Sequence, residues 1–303
     1  MRAFLLFVGL MIAALAAIAV FTYPAWLLLH PHFNFPFHRL GERIGMLALL
    51  IGFVFVAKRA GLADKQSLGY GLARRRFLRE MLLALAIGAI TMLAVVAIMA
   101  ALGLRTWSDT ANLSVTFVVQ LVATRLLSGI AVAFIEETFL RGAMFTALER
   151  ESGARTAIVL TALIYSATHF FASFHIAADR VTASSGFDLL IGTLHLFSDP
   201  LGIIDAFLCL FAVGVVLAVV RAVTGNIAAC LGLHAGWVWV MLVTHQLSTP
   251  VRGEPLSFLL SGFDGFVGWL VLGWTILLGV GLYELYSRRM RAARLHLVGN
   301  PSQ

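Results

Sequence analysis

Long apolar segments are the feature that most constrains how this chain can fold. Eight stretches have an apolar length near the roughly 20 residues that cross a bilayer as a helix. They lie at 3–29, 40–57, 80–103, 117–148, 157–172, 203–221, 227–247 and 265–286. Backbone groups in hydrocarbon must be paired within their own segment, and a helix does this. The sequence predicts an all-α, polytopic membrane helix bundle with about eight transmembrane helices.

Composition supports a membrane protein and argues against a nucleic-acid partner. Only 12% of the 303 residues are charged, whereas a soluble domain has about 25%. The formal net charge is +7, but the basic residues concentrate at the ends of the apolar segments. Orientation signals and contacts to anionic lipid occur at those positions. The bilayer is therefore the expected partner of this charge.

The positive-inside rule predicts the orientation. The 58–80 connection carries seven Lys and Arg residues against two acidic ones, and four arginines follow the last span within 288–294. Both segments are therefore expected on the cytoplasmic side. With eight spans, both termini are then cytoplasmic. We expect an integral multi-pass membrane protein.

Three charged residues interrupt the apolar run at 126–148: Glu136, Glu137 and Arg141. A charge at bilayer depth costs roughly 2.5–3.5 kcal/mol on insertion scales, so such residues indicate a functional site. Glu137 and Arg141 have the four-residue spacing of a helical ion pair. Glu136 points about 100° away on the helix and has no partner there. A group on another helix must pair with it.

Two histidines are predicted near the depth of Glu136. At 1.5 Å per residue, Glu136 and His169 both lie roughly 18 Å from the cytoplasmic end of their spans, and His234 roughly 11 Å. The fourth and fifth spans are also expected to pack together. An unpaired acid and two imidazoles form an acid–base constellation. The alternative is structural, because lone intramembrane histidines often join helices by hydrogen bonds. Asp205 and His245 are expected at the interfaces, outside this group.

Three motifs in this order resemble a known family. They are EExxxR (136–141), YSATH (165–169) and GLHAGW (232–237). Together, over about 117–245, they are similar to the CPBP or Abi family of CAAX-protease and bacteriocin-processing membrane proteins, which includes type II CAAX prenyl endopeptidases. The resemblance implies three N-terminal spans (1–116), a catalytic core (117–247), and a final helix with a basic tail (248–303).

The resemblance also implies residue roles. Glu136, assisted by His169, would activate a water to attack a peptide carbonyl, and His234 would stabilise the oxyanion. Glu137 and Arg141 would shape the site. No cofactor is implied. The implied enzyme is an intramembrane endopeptidase, glutamic in type, in the plasma membrane of a prokaryote. Its implied substrate is a membrane-associated peptide or protein tail, which in CAAX-type processing is lipidated.

Two positions depart from the family pattern. Tyr165 stands where the family usually has Phe, a mild aromatic exchange. Val238 stands where the last motif often has Asn or Asp. If that polar group assists the oxyanion, another donor must replace it, and the Trp237 indole or a water are candidates. Tyr165 and Trp237 are therefore counted as site-supporting residues.

Alternatives to a glutamate-dependent protease stay open. Two histidines and one glutamate with an open position can bind zinc, although the sequence has no HExxH helix. A second class is a non-catalytic immunity or scaffold protein of the same family, which the Val238 departure favours. A channel or transporter is the third, and the lack of a visible inverted repeat disfavours it.

Overall fold

The computed structural model describes residues 2–33, 35–107, 114–170, 174–196 and 198–298, and these residues are almost entirely helical. The α-helices are α1 (Arg2–Leu29), α2 (Phe37–Arg59), α3 (Arg74–Ala101), α4 (Val115–Glu137), α5 (Phe145–Thr168), α6 (Ser185–Leu196), α7 (Pro200–Thr224), α8 (Ala228–Leu247) and α9 (Trp269–Val298). A π-helix, Thr138–Met144, joins α4 to α5. Strands β1 (Arg105–Trp107) and β2 (Ser248–Pro250) pair antiparallel, with Thr106 opposite Thr249. The predicted all-α class is confirmed.

Among the described residues, seven helices are long and apolar enough to cross a membrane. One of them runs for 54 residues, Val115–Thr168. As a straight helix it would be about 80 Å long, far more than the roughly 30 Å hydrocarbon layer. Gly153, at φ 82° and ψ 164°, breaks it, because glycine adopts positive φ without a steric penalty. This helix contains the predicted fourth span and residues 157–168 of the predicted fifth span, of which residues 171 and 172 lie outside the described residues. About eight passes are consistent with the fold.

Helix α8 lies at the centre of the bundle between α3 and α4. A Cβ on Gly236 would lie 2.6 Å from the Leu85 carbonyl oxygen, and one on Gly129 would lie 2.8 Å from the Ala235 carbonyl oxygen. Gly232 meets the α3 backbone in the same way, at Met81. Small residues allow such close approach, as is common between membrane helices. The helix that carries His234 is therefore fixed on two sides.

The predicted direct packing of the fourth and fifth spans is wrong. Helix α4 packs on α8, whereas α5 packs on α7. At Gly214 the α5–α7 approach is close, because a Cβ there would lie 2.8 Å from the Ala162 Cα. The two spans therefore pack on different helices, each at a glycine that allows close approach: α4 on α8 at Gly129, and α5 on α7 at Gly214. Asp205, near the start of α7, is buried among protein side chains; its expected position at the interface stays a prediction.

The bundle has two distinct ends. We call the end formed by the 60–73 connection and the α7–α8 turn the basic end, and the end formed by β1 and β2 the ribbon end. At the basic end, Ile227 N–H donates to the Gly69 carbonyl at 3.1 Å, and the Tyr70 hydroxyl bonds to Thr138 Oγ1 at 2.5 Å. The 60–73 connection thus contacts both the π-helix and the start of α8.

Candidate active site

The π-helix follows Glu137 directly and carries Arg141. A π-turn is wider than an α-turn because its hydrogen bonds run from i to i+5, and such turns are frequent at functional sites. At its end, Phe145 N–H donates to the carbonyls of Leu140 and Gly142. The turn therefore changes the helical register between the two glutamates and the helix α5.

Glu137 and Arg141 form the predicted ion pair. Arg141 Nη1 donates to Glu137 Oε1 at 3.1 Å, and both side chains are fully buried. Arg141 Nη2 donates to the Gly214 carbonyl at 3.2 Å. The guanidinium also lies 4.7 Å from the centre of the Tyr165 ring. This arginine therefore joins α4 to both α5 and α7.

The pair is not self-contained, although the sequence allowed that interpretation. Glu137 Oε1 also accepts a hydrogen bond from His234 Nδ1 at 2.8 Å. A carboxylate oxygen can only accept, so Nδ1 carries the proton and Nε2 is the free ring nitrogen. Glu137 thus fixes the orientation of His234 in the way that a buried carboxylate orients a catalytic histidine. The sequence predicted the contact of Glu137 with Arg141 but not its contact with His234.

Glu136 lies beside this network without joining it by a direct hydrogen bond. Its Oε2 is 3.9 Å from His234 Nε2. That oxygen is buried and has no hydrogen-bond partner, while the side chain as a whole is 31% exposed. A buried polar atom without a partner calls for an explanation, and a catalytic role is one of the recognised ones. The structure thus places Glu136 and His234 together, as their estimated depths predicted.

His169 approaches the site from the end of α5. Its Nδ1 lies 2.7 Å from the Tyr165 carbonyl oxygen, so Nδ1 is again the protonated nitrogen and Nε2 is free. Its ring centre is 4.4 Å from that of Tyr165, which in turn is 5.9 Å from that of His234. Tyr165 therefore separates the two imidazoles. Within the described part of the chain, no hydrogen bond or ion pair joins His169 to Glu136.

A cavity of about 110 Å³ adjoins both histidines. Its walls are mainly apolar side chains from α3, α5, α7, α8, α9 and the loop before α9, and Val238 is one of them. Trp237 also lines the cavity, but its Nε1–H donates to Thr91 Oγ1 at 3.2 Å. That bond favours a structural role for the indole over donation to an oxyanion. At the position of the family's Asn or Asp, the cavity wall is therefore apolar.

Asp264 is a polar cavity residue that sequence reasoning missed. It lies in the loop before α9, and its Oδ1 accepts from the N–H groups of Phe266 and Val267 at 2.8 and 2.9 Å. Burial is the main cause that raises the pKa of the Asp264 carboxyl, and the two backbone hydrogen bonds oppose it. In the sequence it is one acid in a Gly- and Phe-rich loop, with no motif around it.

Arg221 is the second missed residue. It is only 6% exposed, and its guanidinium donates a hydrogen bond to the π-helix. It is the last residue of the predicted 203–221 span, where an arginine normally extends to the interface. Its sequence position therefore gave no signal of burial.

Metal ligation is the remaining chemical question at this site. The residues that the structure describes include no group of three or more His, Cys, Asp or Glu side chains that could hold a metal ion. His234 Nδ1 is already engaged by Glu137. The expectation of a metal-free site stays a prediction.

Comparison with known proteins agrees with the motifs. Residues 118–240 match the Rce1-like family, described as type II CAAX prenyl endopeptidase Rce1-like. The match confirms the resemblance, and it supports a protease of the CAAX endopeptidase kind. It covers α4, the π-helix and most of α8, which carry Glu136, Glu137, Arg141 and His234. No curated protein and no solved structure gives a significant match.

Proposed function

We propose that this integral membrane protein is an endopeptidase in which Glu136 acts as the general base on a water. The observation that carries the proposal is the pair of facing atoms, Glu136 Oε2 and His234 Nε2, at 3.9 Å. Polar atoms just beyond direct hydrogen-bond distance can share a bridging water. Glu136 Oε2 has no partner and the side chain is 31% exposed, so a water can reach this carboxylate. Glu137 is fully buried, and its Oε1 is already committed to Arg141 and His234.

In this mechanism Glu136 accepts a proton from the water as its oxygen attacks the scissile peptide carbonyl. His234, when protonated, donates from Nε2 to the oxyanion, and Glu137 stabilises the resulting imidazolium charge. The tetrahedral intermediate then collapses, the C–N bond breaks, and the proton held by Glu136 passes to the leaving amine. General acid–base transfer of this kind contributes about 10²–10⁴-fold in rate.

His169 has a separate place in the proposal. Its Nε2 is free because Nδ1 is held at the Tyr165 carbonyl, and the ring borders the cavity. We assign it to the substrate side of the reaction, where it binds or relays a proton to the peptide. The absence of a contact to Glu136 among the described residues argues against a direct pair in this conformation. The substrate class carried over from the family is a membrane-associated peptide or protein tail.

The test is cleavage of a membrane-anchored reporter peptide by the purified protein in micelles. We expect Glu136→Gln to lower turnover by about 10²–10⁴-fold and His169→Gln to lower it strongly. Glu80→Gln is the matched control, because Glu80 is 30% exposed, close to the value for Glu136. His245→Gln is the control for His169, since His245 packs on Phe266 at the ribbon end. Full activity of Glu136→Gln would refute the mechanism.

Two further measurements separate the alternatives. Activity that persists in a strong chelator, with no zinc in the purified protein, would exclude the zinc-dependent version. A cellular phenotype that survives Glu136→Gln would favour the non-catalytic immunity or scaffold role. The first measurement is needed because two imidazoles and a carboxylate are a plausible zinc donor set by type.

A further inference from the structure

Arg221 is a buried charge for which the reaction proposed above has no use. It lies on α7 and is 6% exposed. Among the described residues, no carboxylate lies within ion-pair distance of its guanidinium; its hydrogen-bond partners are a carbonyl and a hydroxyl. A buried charge is costly unless it is well paired. Packing alone therefore does not explain why an arginine is buried at position 221.

Both of its hydrogen bonds go to the π-helix and the first turn after it. Nε donates to the Arg141 carbonyl at 3.0 Å, and Nη2 donates to Thr146 Oγ1 at 3.1 Å. The guanidinium also lies over the Phe145 ring, 5.4 Å from its centre. One planar group thus contacts the Arg141 carbonyl, the Phe145 ring and the Thr146 hydroxyl.

The bond to the Arg141 carbonyl has a specific structural meaning. In an α-helix that carbonyl would accept from Phe145 N–H. Here Phe145 N–H donates to Leu140 and Gly142 instead. The wide turn leaves the Arg141 carbonyl without the N–H that would donate to it in an α-helix. Arg221 Nε donates to this carbonyl instead. Without this donor, a return to α-helical hydrogen bonding would become favourable.

That return would change the site. If the wide turn became an α-turn, the turn would contain one residue fewer. The helix on its N-terminal side would then rotate by about 100° relative to the helix on its C-terminal side. Glu136 and Glu137 precede the turn, and Arg141 lies within it. Glu137 and Arg141 are four residues apart and are neighbours in an α-helix as well. The 2.8 Å bond of Glu137 to His234 on α8 depends on the present register.

We propose that Arg221 is a positioning residue, whose guanidinium holds the π-helix in the register that places Glu137 against His234. Its effect on turnover rests on the proposed function, but its effect on the register does not. It acts through the Arg141 backbone and Thr146, and touches neither the proposed water nor the peptide.

The chain offers a matched control for this proposal. Arg105 at the ribbon end is also 6% exposed. Its guanidinium likewise lies over an aromatic ring, that of Phe266, at 5.6 Å. Its bonds go to Ser248 and Gly265, far from the π-helix in sequence. Arg221→Met and Arg105→Met thus remove equivalent buried charges, one with and one without a hydrogen bond to the π-helix.

The first readout needs no substrate. In ¹⁵N NMR of histidine-labelled protein in micelles, with His234 assigned by His234→Gln, we expect the wild type to show a protonated Nδ1. Arg221→Met should lose that signal and Arg105→Met should keep it. A wild-type His234 signal in Arg221→Met would overturn the proposal. If Arg221→Met does not fold, Arg221→Lys and Arg105→Lys give the same comparison, because an ammonium lacks the planar fork.

The second readout is turnover of the reporter peptide. Misplacement of catalytic groups by a remote mutation can cost about 10²-fold, so kcat of Arg221→Met should fall by about that factor with little change in KM. Arg221→Lys should also lower kcat, because its ammonium lacks the planar fork, and Arg105→Met should retain kcat. Unchanged kcat in Arg221→Met would overturn the proposal. If the wild type cleaves nothing, the proposed function fails, and the NMR comparison still decides on Arg221.

Discussion

The site and the ribbon end both bury an arginine, yet they satisfy it to different degrees. Arg105 at the ribbon end donates from Nε, Nη1 and Nη2, at 2.8, 2.7 and 2.9 Å. At the site, Arg141 Nε has no partner, and neither do Glu136 Oε2 and Glu137 Oε2. Burial of charge is common to the two regions. The buried arginine of the ribbon end uses all three of its guanidinium nitrogens, whereas each of these charged side chains of the site keeps one unpaired atom.

The difference indicates what each region is for. A fully paired buried group contributes to stability and specifies one packing arrangement. A buried group with spare capacity costs stability, and is retained where another molecule completes it. The ribbon end should therefore respond to mutation through stability. The site should respond through activity first.

The largest expected effect is that of Glu136→Gln on turnover. The amide keeps the size of the side chain but cannot accept the proton, so kcat should fall by about 10²–10⁴-fold. The midpoint of thermal unfolding should hardly change, because Glu136 makes no hydrogen bond through Oε2. If Glu136→Gln lowered the unfolding midpoint and kept full turnover, the site would respond to mutation through stability, as expected for the ribbon end. That result would contradict the difference drawn between the two regions.

Glu137→Gln should reduce both activity and stability. It leaves Arg141 buried without its carboxylate, and breaking a buried pair costs about 3–5 kcal/mol in the free energy of unfolding. It also weakens the hold on His234. Thermal unfolding and kcat in micelles measure the two effects. Glu284→Gln is the control, since Glu284 and Arg288 have the same spacing but are 54% and 79% exposed, and exposed pairs contribute about 0–1 kcal/mol.

Arg105→Met should reduce stability alone. It leaves the carbonyls of Ser248 and Gly265 without their donor, and each unpaired buried group costs about 1–3 kcal/mol. The unfolding midpoint should fall while kcat per folded molecule stays at the wild-type value. Arg252→Met, on the exposed surface of the same end, should change neither. A loss of kcat in Arg105→Met would show that the two regions are coupled.

The smallest expected effect is that of Asp264→Asn. Because burial raises the pKa of Asp264 in the folded protein above its ordinary 3.8, ionisation lowers the stability of the folded state. This cost is absent below the unfolded pKa and grows as pH rises to the folded pKa. Asp264→Asn should therefore raise the unfolding midpoint slightly at pH 7, and the difference should disappear near pH 3. A midpoint lower than wild type at pH 7 would contradict this.

Much of the fold could be predicted because membrane spans depend on composition and length. The positions of the apolar segments followed from hydropathy, and the Glu137–Arg141 pair followed from helical spacing. The direct packing of the fourth and fifth spans was wrong, since neighbour choice depends on where small residues allow close approach. Gly214 and Gly129 make those contacts, and glycines at many other positions give the same signal in the sequence.

The sequence predicted which residues of the candidate site lie near Glu136, but not which side chains form hydrogen bonds with one another. Estimated depth brought Glu136 and His234 to one level, as the 3.9 Å separation bears out. The hydrogen bond between His234 and Glu137 depends on the helix rotation that the π-helix introduces. No residue pattern in this segment predicts a π-helix. Arg221 was missed for the same reason, because its partner is a carbonyl that only this turn sets free.

The contacts of Gly232 and Gly236 with the α3 backbone have a consequence for substrate entry. Helix α8 packs directly on the α3 backbone at these two glycines, so we expect His234 to keep its position when a peptide enters. Any opening that admits a peptide must come from helices that are less tightly bound to their neighbours. Replacing either glycine by a larger residue would move the imidazole itself, and so would change the chemistry before it changed access.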